Sequence, residues 1–367
     1  MRGSVGRYSA AMDTGRGREK GAAPGTGTPP TLEDVARAAG VSRATVSRVV
    51  NGVRNVDPAI QQAVQRAVSA TGYVPNRAAR SLVTRRSGAV ALVVSGAGSE
   101  TTGERDAFAS RVFQDPFFGR AVSGVVRALR PRGVHPVLML ADTYVDRAEV
   151  LAYLGQGSAD GALLVTTHPR DPLPGMLAVA GLPAVLFARP AAGVLLDHVD
   201  LRHGEGGALA ARHLLARGCG RLGVIAGPAD VPASRERVAG FQAAAARRVP
   251  VAEGDFTLEG GEQAMRGLLA QRPDLDGVFA ANDLMAQGAA LVLREHGRRI
   301  PEDVAVVGFD DSSAATACRP RLTTVRQPVE DMAAEMVRLL LDRVGGAAGA
   351  EPRGVLFTPE LVVRASS

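Results

Sequence analysis

TLEDVARAAGVSRATVSRVVN, residues 31–51, spells two short helices folded around a tight turn. Thr31 followed three residues later by Asp34 is a capping-box start. Leu32, Val35, Ala36 and Ala39 recur at helical spacing, and Gly40 supplies the turn. Ser42 caps a second helix whose Val46, Val49 and Val50 face back onto the first. The remaining face of that helix carries Arg43, Thr45, Ser47, Arg48 and Asn51, which are short polar or guanidinium groups. A helix of about two turns with such a face fits the DNA major groove, where Arg and Asn grip base edges bidentately. An ordinary helical hairpin would share the apolar pattern, but not the segments that follow.

Those segments are a third helix and a connector. Asp57-Pro58 is an N-cap with proline at the first helical position, Ile60, Val64, Ala67 and Val68 form an apolar stripe, and Gly72 closes the helix. Asn76-Arg77-Ala78-Ala79-Arg80-Ser81-Leu82 then has the makings of a short helix capped by Asn76. At that length it is marginal in water and has little apolar surface to dock. Two readings stand side by side. Either it orders on DNA, with Arg77 and Arg80 toward phosphates and Leu82 as a minor-groove wedge, or it is a solvated linker.

The runs TLEDVARAAGVSRATVSRVVNG and GYVPNRAARSL resemble the headpiece of the LacI/GalR family of bacterial transcription regulators, and the similarity extends over nearly everything after residue 30. The resemblance implies that residues 42–50 are the recognition helix, with Arg43 and Ala44 at the positions that most vary operator choice. Thr45, Ser47, Arg48, Asn51 and Asn55 match base- or phosphate-contacting positions. Thr31, Leu32, Ser42, Asn76, Arg77 and Ala79 complete the implied DNA-facing set. Leu82 matches the leucine that pairs with its dimer mate to pry open the central base step of the operator. Arg80 sits where the family varies.

Charge is distributed in keeping with a DNA-binding head. The 367-residue chain has a formal net charge of +6, with 43 basic and 37 acidic residues. Residues 30–86 hold nine arginines against Glu33, Asp34 and Asp57, while residues 87–367 are net acidic. A basic head on a near-neutral body is the electrostatic footprint of nucleic-acid binding. Lys20 is the only lysine, so the arginine excess also reflects genome base composition. Cys219 and Cys318 lie far apart without CxxC spacing, which indicates neither a zinc site nor a disulfide framework. No apolar run reaches membrane-span length and no signal peptide precedes the headpiece, so the cytoplasm is the expected location. Residues 1–30, rich in Gly, Ser, Thr and Pro, read as a disordered tail or as the product of a misassigned start codon.

From Gly88 onward, apolar runs at 89–94, 134–140, 161–166, 183–187, 221–226, 277–281 and 303–309 alternate with helical stretches at 119–130, 205–217, 234–247, 261–271, 284–296 and 328–343. Such alternation means parallel sheets covered on both faces, and its length suits two lobes. The fold class is therefore α/β: an N-terminal all-α helix-turn-helix headpiece followed by a two-lobed body of parallel sheets. The family implies the same body, similar to periplasmic sugar-binding proteins, with the chain crossing repeatedly between lobes. The expected boundaries are a tail at 1–30, a headpiece at 31–75, a hinge at 76–87 and a body at 88–367. The first lobe takes about 88–197 plus 328–345, and the second about 198–325 plus 350–367.

Ligands of open α/β sheets bind at the carboxyl ends of the strands. Those ends carry Arg235 and Arg237 after 221–226, Asn282 and Asp283 after 277–281, and Asp310 and Asp311 after 303–309, with Phe117 and Phe118 ahead of helix 119–130. Carboxylates, an amide, a guanidinium and an aromatic face suit a polyhydroxylated ligand. Asp283 is read as a helix cap or as a ligand contact, Arg235 as solvated, and either Phe117 or Phe118 as lining the cleft. The runs RVAGF (237–241), AANDLMAQGAA (280–290), VVGFDDS (306–312) and LTTVRQP (322–328) look like effector-domain landmarks of the family. By that resemblance Arg237, Asn282, Asp310 and Gln327 match effector-contacting or cleft-lining residues, and Phe118 starts the first-lobe helix that contacts ligand. Two stretches depart from the pattern: residues 95–114 read as a longer loop than usual, and HVDLRHGEGG (198–207) offers either Asp200 or His203 where the family has an aspartate.

Enzymatic alternatives find little support: there is no P-loop, no Gly-x-Ser-x-Gly elbow and no glycine fingerprint opening a helix. Asp197, His198 and His203 read as surface-loop residues rather than metal ligands. The sequence thus predicts a ligand-responsive dimeric repressor without cofactor, reading a near-palindromic DNA operator and answering to a small sugar or sugar derivative. A nucleobase co-repressor is the second reading, and a solute-binding protein the third. Arg43 favours a guanine in each half-site.

Overall fold

A computed structural model describes residues 29–50, 56–74, 86–96, 102–166 and 168–367. The chain divides into a head ending at Arg80 and a body beginning at Ser81. The described head residues form α1 (Leu32–Ala39), α2 (Arg43–Val50) and α3 (Pro58–Thr71). The capping box closes as the spacing predicts: Thr31 N–H donates to Asp34 Oδ2 at 2.9 Å, and Asp34 N–H to Thr31 Oγ1 at 3.4 Å. Gly40 ends α1 at φ 65°, a left-handed conformation open to glycine. Asp57 caps α3 through the amides of Ala59 and Ile60. Val35, Ala36, Val46, Val64 and Ala67 form the head core, so each helix contributes to it. Burying even this small set supports three short helices that would not persist alone.

The body contains two six-stranded sheets. In the first lobe β1 (Ala89–Ser95), β2 (His135–Ala141), β3 (Ala162–Thr166), β4 (Ala184–Phe187), β5 (Asp197–Leu201) and β11 (Gly354–Phe357) run parallel in the order β11-β5-β4-β3-β1-β2. In the second, β6 (Leu222–Ala226), β7 (Val251–Glu253), β8 (Gly277–Ala280), β9 (Ala305–Asp310), β10 (Thr323–Arg326) and β12 (Glu360–Val362) take the order β12-β10-β9-β8-β6-β7, with only the β10–β12 pair antiparallel. All seven apolar runs are strands. In six of them the continuity follows from burial on both faces, whereas β2 lies at the sheet edge and is only partly buried. Val90 and Leu92 face one layer of helices, α5 (Pro116–Leu129) and α12 (Val329–Val344), while Ala91 and Val93 face the other, α6 (Tyr144–Gly155) and α7 (Leu173–Val179). The second lobe repeats the plan, with α8 (His203–Ala216) and α9 (Pro232–Ala245) on one face and α10 (Leu258–Gln271) and α11 (Asp283–Glu295) on the other.

Two expectations change. Residues 102–114 are a helix, α4, rather than loop, because Phe108 and Val112 sit one turn apart and are buried against Val94 of β1. Strands β5 and β11 hydrogen-bond into the first sheet, so 198–201 and 354–357 leave the second lobe to which the boundaries above gave them. The first lobe is then built on 89–201 and 329–357, the second on 203–326 and 360–367. The chain crosses between them at 202, at 327–328 and at 358–359. No helix among the described residues is long and apolar enough to cross a membrane.

Candidate functional site

In the head, Arg43, Ala44 and Arg48 are exposed on α2, while Thr45 and Ser47 are half-buried beside them. Ser42 caps α2 by accepting from Thr45 N–H at 3.1 Å, and the two hydroxyls lie 2.9 Å apart. Thr31 spends its hydroxyl on Asp34. Leu32, also implied as a DNA contact, is half-buried and packs its side chain against the head core. Asn51, Asn55, Asn76, Arg77, Ala79, Arg80 and Leu82 lie outside the described residues, as do residues 76–85 of the hinge and nearly all of the tail.

In the body the carboxyl ends of the two sheets face one another, and Arg237 of α9 is the hub of that seam. Its guanidinium is buried, 6% exposed. Nε donates to His203 Nδ1 at 3.3 Å, Nη1 to the Ala281 carbonyl at 2.5 Å and Nη2 to Gln327 Oε1 at 3.2 Å. Nη1 also lies 3.7 Å from Asp310 Oδ1, and the planar group covers the Phe309 ring at 3.7 Å from its centroid. A delocalised cation with five donors in a rigid fork can satisfy all these partners at once; an ammonium cannot.

Asp310 ends β9 at φ 103°, a conformation rare for a residue with a side chain. Ala188, just past β4 on the opposite sheet, is similarly placed at φ 109°. Strained backbone gathers at binding sites because the surrounding fold can hold it there. Burial pushes the Asp310 carboxyl well above the usual range; Arg237 opposes the rise, and the like charges of Asp283 and Asp115 add to it. Asp115 caps α5 by accepting from Phe117 N–H at 2.9 Å, and burial raises its pKa too, against that hydrogen bond and Arg237. Two carboxyls from opposite lobes, both with raised pKa, therefore lie within electrostatic reach of one guanidinium.

Arg120 ties the lobes beside this group. Its Nη1 donates to the Asp310 carbonyl at 2.6 Å and Nη2 to the Gln327 carbonyl at 3.0 Å, while Glu330 receives Nε and Nη2 at 2.8 and 2.7 Å. On the first crossing, Asp200 Oδ1 lies 3.4 Å from His203 Nε2, and Arg189 reaches Asp200 at 3.5 Å. Burial, reinforced by Arg237, drives the His203 pKa down to about 4 against the pull of Asp200. The ring is neutral near pH 7. Because Nδ1 accepts from Arg237, the proton sits on Nε2, facing Asp200. Farther out, His168 Nε2 of the first lobe meets Asp230 Oδ2 of the second at 2.8 Å.

Of the seven expected effector residues, Arg237, Asp310 and Gln327 converge. Phe117 and Phe118 stand at the start of α5, both half-buried and edge-on to each other at 5.2 Å; Phe117 is also edge-on to Phe187. Asn282 and Asp283 are committed to the fold. Asn282, not Asp283, caps α11, accepting from Met285 N–H at 2.9 Å and donating to the Phe256 carbonyl at 2.8 Å. Asp283 instead braces α11 against the next strands, accepting from Ser312 N–H at 2.7 Å and Thr324 Oγ1 at 2.6 Å. Burial lifts its pKa to about 7. Arg235 is exposed. Asp197, His198 and His203 are not surface-loop residues: Asp197 is buried on β5 and paired with Arg343 at 2.6 Å, His198 is half-buried on the same strand, and His203 opens α8. Among the described residues no three His, Cys, Asp or Glu side chains gather to hold a metal.

Sequence reasoning missed Asp115, Arg120, Arg189, His168 and Asp230. Asp115 was legible as the residue before Pro116, since Asp-Pro opens a helix; Arg120, His168 and Asp230 meet partners in the opposite lobe, and Arg189 meets Asp200 from a neighbouring strand end.

Comparison with known proteins agrees with both halves. The family model described as "Bacterial regulatory proteins, lacI family" matches residues 31–76, and "Periplasmic binding protein-like domain" matches 211–367. The HTH-type transcriptional regulator CelR of Thermobifida fusca is 45% identical over 346 residues, covering 92% of this chain and 98% of that protein. The HTH-type transcriptional repressor PurR of Yersinia pestis (strain Pestoides F) is 32% identical, covering 92% and 96%. Among solved structures, a complex of the regulator CelR with cellobiose aligns with TM-score 0.69 at 43% identity, over 92% of this chain and 100% of that one. A lac repressor dimer bound to operator and the anti-inducer ONPF aligns with TM-score 0.74 at 26% identity, over 92% and 99%.

Proposed function

The chain belongs to the lacI family of bacterial regulatory proteins, and from that membership we propose a dimeric cytoplasmic repressor of carbohydrate-utilisation genes whose hold on its operator is set by a sugar. The observation that carries the sugar reading is the convergence of Arg237, Asp310 and Gln327 at the strand ends between the lobes. An amide, a guanidinium and a carboxyl offer both donors and acceptors, which a ring of hydroxyls needs on each edge. The 45% identity to CelR, together with the cellobiose-bound structure of a regulator of that name, makes cellobiose the first compound to test. Two copies of the head read the halves of a near-palindromic operator, Arg43 and Arg48 toward base edges. An effector that weakens operator binding is itself bound less tightly by the DNA-bound protein, because the coupling is reciprocal.

Affinity selection on randomised duplexes, alone and with cellobiose, monosaccharides, hypoxanthine or guanine, tests this reading. The expected result is a palindromic motif whose affinity shifts with a sugar. A response to a purine alone replaces the sugar with a nucleobase, and the absence of any motif removes the sequence reader.

A further inference from the structure

The described head residues contain three carboxylates, and two are occupied with backbone. Asp34 closes the capping box of α1, and Asp57 caps α3. Glu33 caps nothing. Its Oε1 lies 3.0 Å from Nε of Arg43, the first residue of α2, and both side chains are largely exposed, 53% for Glu33 and 68% for Arg43. A pair so exposed contributes little to stability in solution, so its worth has to be sought elsewhere. The contact is made at the inner nitrogen of the guanidinium. Nη1 and Nη2, the end-on fork that matches guanine O6 and N7, are left for an outside partner. Ala44 beside it is exposed and adds no bulk.

We propose that Glu33 is a specificity-determining residue: it holds Arg43 by Nε so that the terminal fork meets a guanine. This rests on the reading that the exposed face of α2 contacts bases. The carboxylate contributes in two ways. Fixing the arginine cuts the rotamer freedom lost on binding and disfavours its swinging to a phosphate, where it would carry no sequence information. A negative charge at that place also repels the phosphate backbone, lowering affinity for DNA that does not offer the guanine.

Base-preference profiles of the full-length wild type, Arg43→Ala, Glu33→Gln and the double variant, from selection on randomised duplexes, provide the test. Arg43→Ala is expected to erase a guanine from each half-site. Glu33→Gln is expected to lower preference for that same guanine about tenfold while raising affinity for random DNA. In the Arg43→Ala background Glu33→Gln is expected to leave the profile unchanged. An unaltered guanine preference in Glu33→Gln overturns the proposal even if affinity changes uniformly, and so does a profile change that persists without Arg43. If Arg43→Ala alters no base preference, the reading of α2 fails and the proposal falls with it. Should Glu33→Gln abolish all binding, Glu33→Asp, which keeps the charge but shortens its reach, is judged by the same two criteria.

Discussion

Arg237 shows how one buried residue can make a site. Three acceptors, a carboxyl and an aromatic face surround its guanidinium, contributed by α8, β9 and the loops after β8 and β10. Arg237→Lys keeps the charge but cannot serve three acceptors in one plane. It is expected to cost about 3 kcal/mol of stability and to remove the thermal shift given by the effector while operator binding survives; thermal melts with and without cellobiose check this. His203 supplies a pH signature. Its pKa is about 4 in the folded protein, so between the ordinary value of 6.5 and 4 the unfolded chain binds a proton that the folded chain refuses. Stability contributed by His203 is therefore present above pH 6.5 and lost as pH falls toward 4, by up to about 3 kcal/mol. The raised carboxyl of Asp283 works in the opposite direction, losing stability as pH rises from 3.8 to about 7. The variant His203→Gln isolates the first effect: denaturant melts at pH 7.5, 6 and 5 should show a smaller loss in acid than the wild type.

Among the elements, α8 and α9 approach backbone to backbone, and this contact sets where Arg237 lies. A Cβ on Gly207 would stand 1.9 Å from the Arg237 carbonyl, and one on Gly240 would stand 1.9 Å from that of Gly204. Gly207→Ala must push the helices apart. Overpacking of this kind costs about 1–3 kcal/mol, and here it should also weaken effector binding although residue 207 does not touch the seam. Calorimetric titration beside a melt separates the two effects: lost stability with unchanged affinity would show that the crossing does not govern Arg237. The glycines were plain in HGEGG, yet their purpose was not, because it depends on a helix some thirty residues away. Six of the seven apolar strands were legible because both their faces are buried, and the edge strand β2 because its run is apolar although only partly buried. β5, β7, β10, β11 and β12 were not: β7, β11 and β12 are three or four residues long and partly exposed, and β5 and β10 are short and interrupted by polar residues such as Asp200, Thr323 and Thr324.

At the scale of the molecule, the lobes are joined by contacts of differing exposure. Arg120 holds Asp310 and Gln327 next to the crossing strands, whereas His168 and Asp230 meet farther out, 23% and 45% exposed. The outer pair has the weak, reversible character suited to a contact that opens when ligand enters or leaves. Asp230→Asn should raise the effector dissociation rate by up to about fivefold, with association and ligand-free operator affinity little changed. Stopped-flow binding reads this directly, and an unchanged dissociation rate would remove the pair from the closing motion.

What the sequence determined by itself was local in its physics. Capping at Thr31 and Asp57, the turn at Gly40 and the helical and strand periodicities involve residues a few positions apart, so their meaning is complete within the segment. The exposed polar face of α2 and the alternation of strand and helix followed from these. Tertiary structure alone decided the assignments that depend on pairing between distant segments. Strands β5 and β11, about 150 residues apart, belong to one lobe because they hydrogen-bond to each other. Asp283 became a brace because Ser312 and Thr324 reach its carboxylate. Asp115 joined Asp310 and Arg237 because two separate sheets present their carboxyl edges to one another. A carboxylate carries no sign of which distant group will face it, and only the folded chain supplies that partner.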